Sequence, residues 1–497
     1  MLTDIFRASM TEMEIPNDWR NANITAIHKK GSKIEAGNYR PVSLTSITGK
    51  IMETIVRNEL VRYFQVNNLF SNRQFGFISG RSTVLQLLKV LEDWTRILDE
   101  GGCVDVVYCD FMKAFDKVSH SRLIDKLRFY GIKNPVLGWI EAFLRDRQQR
   151  VVTGGTESEW RKVDSGVPQG SVLGPILFVI YINTLPEVAS NSQIYLFADD
   201  TKIYKAITNT EDCQMLQHDV DKMYEWTNGS LLKFHPDKCG AMRIGSSKLE
   251  TRTYTMGPEK HVIKNITEEK DIGVIIDDKL SFSKHMAAKI KKANTVMGVI
   301  RRTYVHMDEE SFLLLYKGLV RPHLEYANQV WAPYLRKDVV AIENVQRRAT
   351  KLIPGFKDMS YQERLRRLHL PTLRYRRIRG DMIELYKILT DKYDYRVTTN
   401  IVNVRQDIRR GHKYKLFKKH CRLNIRKFSF AYRTVNTWND LPNYVVEAKT
   451  VKSFERRLDK FWEKEEWKFS MDAEIQTPNI RHANQHQIEL TPEAEQA

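Results

Sequence analysis

Cysteine is scarce in this 497-residue chain. The five present (Cys103, Cys109, Cys213, Cys239, Cys421) are odd in number and scattered. They form neither a disulfide framework nor a CxxC zinc pattern, and they point to a reducing, intracellular compartment. Long apolar runs are missing as well. The longest, VLGPILFVIYI at 172–182, falls far short of the roughly 20 residues a membrane-crossing helix needs, so no membrane partner is expected. The first residues, MLTDIFRASMTEMEIP, lack a basic region followed by an apolar block, so no secretory signal is expected. No internal repeat is visible. Acidic residues are in deficit: 61 Asp and Glu stand against 79 Lys and Arg, for a net charge of +18. Such an excess favours a polyanionic partner, nucleic acid or an acidic membrane surface, although a merely soluble basic protein has the same composition.

What is present supports a sizeable core, with 42% hydrophobic residues. Residues 43–66 place Ile47, Ile51, Ile55 and Met52, Val56, Leu60 at helical spacing. Residues 82–100 repeat that spacing behind a plausible N-cap, Ser82, and end at Gly101-Gly102. CVDVVYCD alternates like a strand and stops at Asp110. Residues 119–130 return to helix, with Gly131 as the stop signal. SGVPQGS at 165–171 is a glycine-flanked loop leading into an apolar helix, and QIYLFADDTKIYKA reads as strand, tight turn, strand. Helices and strands are mixed without regular alternation, so the expected class is α+β. From about residue 284 the chain is helical and basic. Residues 361–380 hold seven Lys/Arg against one acid, and residues 401–430 hold ten against one, interleaved with aromatics. The stretch 471–497 reverses sign and is expected to be disordered.

Asp199 and Asp200 sit at the tip of the expected hairpin. A paired-aspartate turn alone is weak evidence of chemistry, because aspartate favours turns through local hydrogen bonds. Asp110 strengthens it. A carboxylate ending a buried-looking strand is costly unless charge meets it. Hard divalent ions such as Mg²⁺ are held by a few carboxylates plus substrate phosphates. Two such ions, roughly 3.5–4 Å apart, stabilise the attacking and leaving oxygens of phosphoryl transfer. The alternative for Asp110 is a simple cap on the following segment.

DFMKAFDKVSH (110–120), SGVPQGSVLGPILFVIYINTLP (165–186) and FADDTKIY (197–204), in that order, resemble the palm of reverse transcriptases from non-LTR (LINE-like) retrotransposons. AIHKKGSKIEAGNYRPVSLTSITGKIMETIV (26–56) and RQFGFISGRST (73–83) resemble the same family's fingers. FHPDKC (234–239) and KDIGVIIDDKLSFSKH (270–285) continue the pattern. LVRPHLEYANQVWAP, IENVQRRATKLI and FAYRTVNTWNDLP resemble the C-terminal part of jockey-type elements. Together the resemblance covers nearly everything up to about residue 465.

The resemblance implies a right-hand polymerase that extends a DNA primer or target on an RNA template, using dNTPs and two Mg²⁺ ions, with Mn²⁺ as a substitute. It implies that Asp110, Asp199 and Asp200 bind metal, with the backbone carbonyl of Phe111, and that Lys238 protonates the leaving pyrophosphate. Lys29 or Lys30, with Arg40, would hold the triphosphate. Phe115 would sit under the incoming sugar, and Gln169 would contact the nucleotide. Asp271, Ile272, Gly273 and Val274 would grip the primer end. His235 stands where relatives often have asparagine, and Ile78-Ser79 replaces a more usual basic or proline-containing pair. The implied domains are fingers with a short N-terminal extension (1–102), palm (103–283), helical thumb (284–380), a basic C-terminal region (381–470) and the tail. No DNA-nicking module, RNase H or zinc knuckle is expected within the chain, and the nucleus and cytoplasm are its expected locations. Two other readings share these features: a catalytically silent nucleic-acid-binding remnant or host-adopted protein, and an intron-type maturase, which the jockey-type motifs disfavour.

Overall fold

The computed structural model describes residues 1–246, 249, 252–405 and 411–474. The expectation of a disordered tail falls largely on 475–497, and Arg409 and Arg410 of the basic stretch fall on 406–410. Both lie outside the described residues. The chain divides into two compact units. One comprises Met1–Arg81, Val104–Arg243 and Ser247–Ile266, and the other comprises Ser82–Cys103, Ile244–Ser246 and everything from Thr267 on. The architecture is α+β, as the mixed pattern implies.

The first unit is built on two five-stranded sheets. One sheet runs in the order Lys264–Asn265, Gly240–Ile244, Cys103–Cys109, Asp200–Ile207, Gln193–Phe197. Its middle strand, Cys103–Cys109, is buried at all seven positions. The buried strand expected before Asp110 is present, and as a central strand covered on both faces it has no wet side. The residue that made it alternate, Asp105, is 2% exposed. Arg243 meets it through Nε and Nη2, each at 2.7 Å, and the Tyr254 hydroxyl donates to it at 2.6 Å. The second sheet joins Tyr39–Leu44, Asn21–His28, Gln148–Thr153 and two short strands.

The helix Gly174–Ile182 lies in the core, with every residue but Pro175 buried. A helix apolar on all sides must be enclosed by protein. At its start Ser171 Oγ accepts the Gly174 N–H at 2.8 Å. Glu53, from the helix Ile47–Val66, adds a distant cap, accepting the Val172 and Leu173 N–H groups at 2.7 and 3.0 Å. Burial raises the Glu53 pKa, and those two bonds oppose the rise. On the same helix, Met52, Val56 and Leu60 are buried, whereas Ile47, Ile51 and Ile55 stay 79%, 46% and 48% exposed. Of two stripes at helical spacing, only one faces the core.

In the second unit Ser82 caps the helix Thr83–Asp99 as its sequence implies, accepting from Leu85 N–H at 3.1 Å. This helix joins C-terminal residues. Asp99 accepts the Arg422 and Leu423 N–H groups at 2.8 Å each, and Arg426 donates to Thr95 at 2.8 Å. The two units therefore cut across the divisions at 102/103 and 283/284: the helix and the hairpin Glu268–Asp271/Val274–Asp277 both pack with the later chain. Helices dominate from Ser283–Thr303 onward. Among the described residues, no helix is long and apolar enough to cross a membrane.

The Asp105–Arg243 pair is buried on both sides, with side chains 3% and 8% exposed. Arg243→Met strands an uncompensated carboxylate under the central strand and should cost about 3–5 kcal/mol. Chemical denaturation should show this as a lower midpoint. Unchanged stability would mean that water reaches Asp105.

Candidate active site

Strand ends position the carboxylates. Asp110 follows directly on the central strand Cys103–Cys109, and its backbone carbonyl accepts the His235 N–H at 2.8 Å. Phe111 is buried and stacked on Phe234, with centroids 4.4 Å apart. The neighbouring hairpin pairs Phe197 with Asp200, so Ala198 and Asp199 form a two-residue turn and Asp200 opens the return strand. The SGVPQGS loop docks on two sides. Val167 N–H donates to Phe115 O at 2.8 Å, and Ser43 N–H donates to Gln169 O at 2.6 Å. A Cβ at Gly170 would lie 2.3 Å from Ser43 O, so only glycine allows this approach.

These segments surround one cleft of about 1410 Å³. Its lining includes Asp110, Phe111, Asp199, Asp200, Lys238, Lys29, Arg40, Phe115 and Gln169. Nine residues singled out across more than 200 positions of sequence thus share one wall set. Lys30 is exposed and does not line the cleft. Residues 271–274 belong to the second unit, where Ile272 and Gly273 form a left-handed hairpin turn whose Ile272 carbonyl accepts the Tyr326 hydroxyl at 2.8 Å.

The electrostatics are those of an anion site beside an acid cluster. Burial is the main cause that holds Asp199 above the ordinary aspartate range, and the charge of Asp110 adds to it. A bond to its own backbone N–H, Arg40 and Lys29 pull the other way. Lys238 Nζ lies 3.0 Å from Asp110 Oδ2. Lys29 and Arg40 make no ion pair among the described residues. Phe115 stacks on Phe178, with centroids 4.5 Å apart, and meets the edge of the Phe77 ring at 6.5 Å.

The acids suit a hard divalent cation by chemistry, since all offer carboxylate oxygens and two of them repel each other. They are not gathered into a finished centre. Among the described residues, no three His, Cys, Asp or Glu side chains stand together closely enough to hold a metal. Asp110 is turned to Lys238 instead. Three neighbours escaped sequence reasoning. Glu53 and Gln74 act through bonds to residues more than 100 positions away, and only the unusual backbone of Phe77 marks it out.

The Asp199 shift has a testable sign. A carboxyl whose folded pKa is raised favours folding below the ordinary value of 3.8, and that contribution is lost as pH rises through the folded value. Ionised Asp199 therefore costs stability near pH 7. In metal-free buffer, Asp199→Asn should melt a few degrees above the parent at pH 7, with the gap closing as pH falls toward 4. Thermal melts across that range measure it, and a variant less stable at pH 7 would contradict the cost of burying the Asp199 charge.

Residues 27–295 match the family model described as reverse transcriptase (RNA-dependent DNA polymerase). The chain is 28% identical over 387 residues to the probable RNA-directed DNA polymerase from transposon BS of Drosophila melanogaster, covering 73% of this chain and 41% of that protein. It is 27% identical over 370 residues to the RNA-directed DNA polymerase from mobile element jockey of the same organism, covering 71% and 39%. Among solved structures it is similar to telomerase from Candida albicans, with a TM-score of 0.41 and 9% identity over 72% of this chain and 67% of that one. The chain spans about two-fifths of the length of the curated relatives it matches. With more than half of its residues inside the family model, the chain belongs to the reverse transcriptase (RNA-dependent DNA polymerase) family.

Proposed function

We propose that this chain performs RNA-templated DNA synthesis, adding dNTPs to the 3′-hydroxyl of a DNA primer in the cleft of the first unit. The observation that carries the proposal is the cleft itself: Lys29 and Arg40 line the same cleft as Asp110, Asp199 and Asp200, and their charges act on Asp199. A triphosphate satisfies the cations. A divalent ion satisfies the acids, and Mg²⁺, with Mn²⁺ as substitute, is the proposed cofactor. Asp110, Asp199, Asp200 and the Phe111 carbonyl would hold it. When bound, it supplies Lewis-acid polarisation of the reacting phosphate.

The chain's own residues account for the remaining steps. Lys29 and Arg40 bind the triphosphate and fix its direction. Gln169 and the loop around Gly170 set the base and sugar, and Phe115 closes the floor beneath the sugar. The primer 3′-hydroxyl gives its proton to solvent as its oxygen bonds to the α-phosphorus and the bond to the bridging oxygen of the pyrophosphate breaks. Lys238, beside Asp110, delivers the proton to that leaving group. Residues 271–274 would hold the primer end, and the basic helices of the second unit would track the template–primer phosphates. In this reading the first unit supplies fingers and palm surfaces of a right-hand polymerase and the second its thumb. The nucleus and cytoplasm are the proposed locations.

Asp199→Asn should abolish RNA-templated extension while leaving duplex affinity within about twofold, because metal holding and phosphate tracking rest on different residues. Side-by-side extension and binding measurements test this. Extension by the variant at the parent's rate would remove Asp199 from the site. Loss of extension in both proteins with tight duplex binding would favour the silent-binder reading.

Phe115 should exclude ribonucleotides by bulk. Phe115→Val opens space beside Phe178 and should lower discrimination against rNTPs by roughly 10- to 200-fold, the range a small change of pocket shape commands. Single-nucleotide insertion, comparing kcat/KM for dNTP and rNTP, reads it. An unchanged ratio in an active variant would make Phe115 a packing residue.

A further inference from the structure

Gln74 is fully buried, on the segment RQFGF that runs beside the catalytic hairpin. That segment is bonded to the hairpin edge. Phe75 N–H donates to Leu196 O at 2.8 Å, Leu196 N–H donates to Arg73 O at 2.9 Å, and Gln74 faces Leu196 in parallel. The Gln74 side chain reaches further. Its Oε1 accepts the N–H of Ala198 at 2.9 Å and the N–H of Gly76 at 2.8 Å, and its Nε2 faces Ala198 O at 3.5 Å. Arg81, also buried, donates to the Gln74 carbonyl at 2.6 Å and steadies the backbone from behind.

The two ends of this bridge are both strained. Ala198 has φ +53° at the first position of a two-residue hairpin turn, where glycine is the usual occupant. Phe77, one residue beyond Gly76, has φ +59°, keeps 48% of its surface exposed and puts its ring edge against Phe115. Left-handed backbone at alanine or phenylalanine persists only where the surroundings over-determine it. Gly76 adds a second constraint, since a Cβ there would lie 2.4 Å from Ala198 N. The glutamine amide and the bare glycine therefore clamp the turn that carries Asp199.

We infer that Gln74 is a positioning residue: it locks Ala198 in its left-handed conformation and so aims the Asp199 carboxylate at the metal, while the same oxygen holds the loop that sets Phe77 against the sugar floor. This rests on the proposed function for its catalytic consequence but not for the clamp itself. Partners that orient a metal ligand typically matter by about 10–100-fold in metal affinity or activity.

Two variants test the clamp from opposite sides. Gln74→Met keeps the side-chain length and removes both acceptor bonds. Gly76→Ala keeps the glutamine and pushes the segment off Ala198. Mn²⁺ titration of the purified protein followed by electron paramagnetic resonance, with Asp199→Asn as the reference lesion, reads the site without turnover. Both variants should weaken the Mn²⁺ site lost in Asp199→Asn by about 10-fold or more. In RNA-templated extension, the Mg²⁺ requirement should rise in parallel, with excess Mg²⁺ recovering part of kcat and duplex affinity unchanged. Should Gln74→Met fail to fold, Gly76→Ala decides alone. Parental Mn²⁺ affinity in the folded variants would overturn the clamp, as would a parent protein with no Mn²⁺ site sensitive to Asp199→Asn. A parent that binds Mn²⁺ as described yet extends no primer would defeat the proposed function and leave the clamp standing or falling on the titration.

Discussion

The burial of the Asp199 carboxylate, with the charge of Asp110 beside it, is the constraint on which the first unit turns. Two carboxylates at neighbouring strand ends, one of them largely removed from water, disfavour the folded protein unless something positive joins them. Lys238 pairs with Asp110, in an ion pair whose side chains are 59% and 41% exposed. Such an exposed pair contributes little to stability, so it can be exchanged for stronger charge. The surrounding structure supplies the rigidity that keeps the acids where they are.

That rigidity comes from interactions placed off the cleft. The central strand is anchored by a carboxylate–guanidinium pair of its own, Asp105 with Arg243. The core helix after the PQG loop is capped by Glu53 from a distant helix. The aspartate turn is bonded to Gln74. Each of these buried polar groups is satisfied, and each costs far more to break than to keep. At the cleft, by contrast, Asp110 is held only by a solvent-exposed ion pair with Lys238.

Local rules reached a good part of this. The hairpin, the Ser82 cap, the strand that ends at Asp110 and the loop before the core helix all follow from periodicity and turn chemistry within about 20 residues. The bonds that fix the site do not. Glu53 meets residues 172 and 173, Gln74 meets residue 198, and Asp105 meets Arg243. No periodicity or cap signal encodes such pairings, which exist only once the sheet has formed. The strand that looks buried in sequence is buried, but nothing local names Arg243 as the partner its Asp105 needs. For Ile47, Ile51 and Ile55, helical spacing identifies a stripe but not the side the core lies on. The division of labour along the chain was also hidden, since the helix Thr83–Asp99 is packed by residues more than 300 positions later.

The central claim is that the acids and cations lining the cleft form one nucleotidyl-transfer site. Its most direct test is extension of a DNA primer annealed to an RNA template by the purified chain, with all four dNTPs and Mg²⁺ as the sole divalent ion. The expected result is stepwise extension to the template end that stops on chelation and resumes when Mg²⁺ is restored. Tight binding of the same duplex with no nucleotide added, in either Mg²⁺ or Mn²⁺, would contradict it.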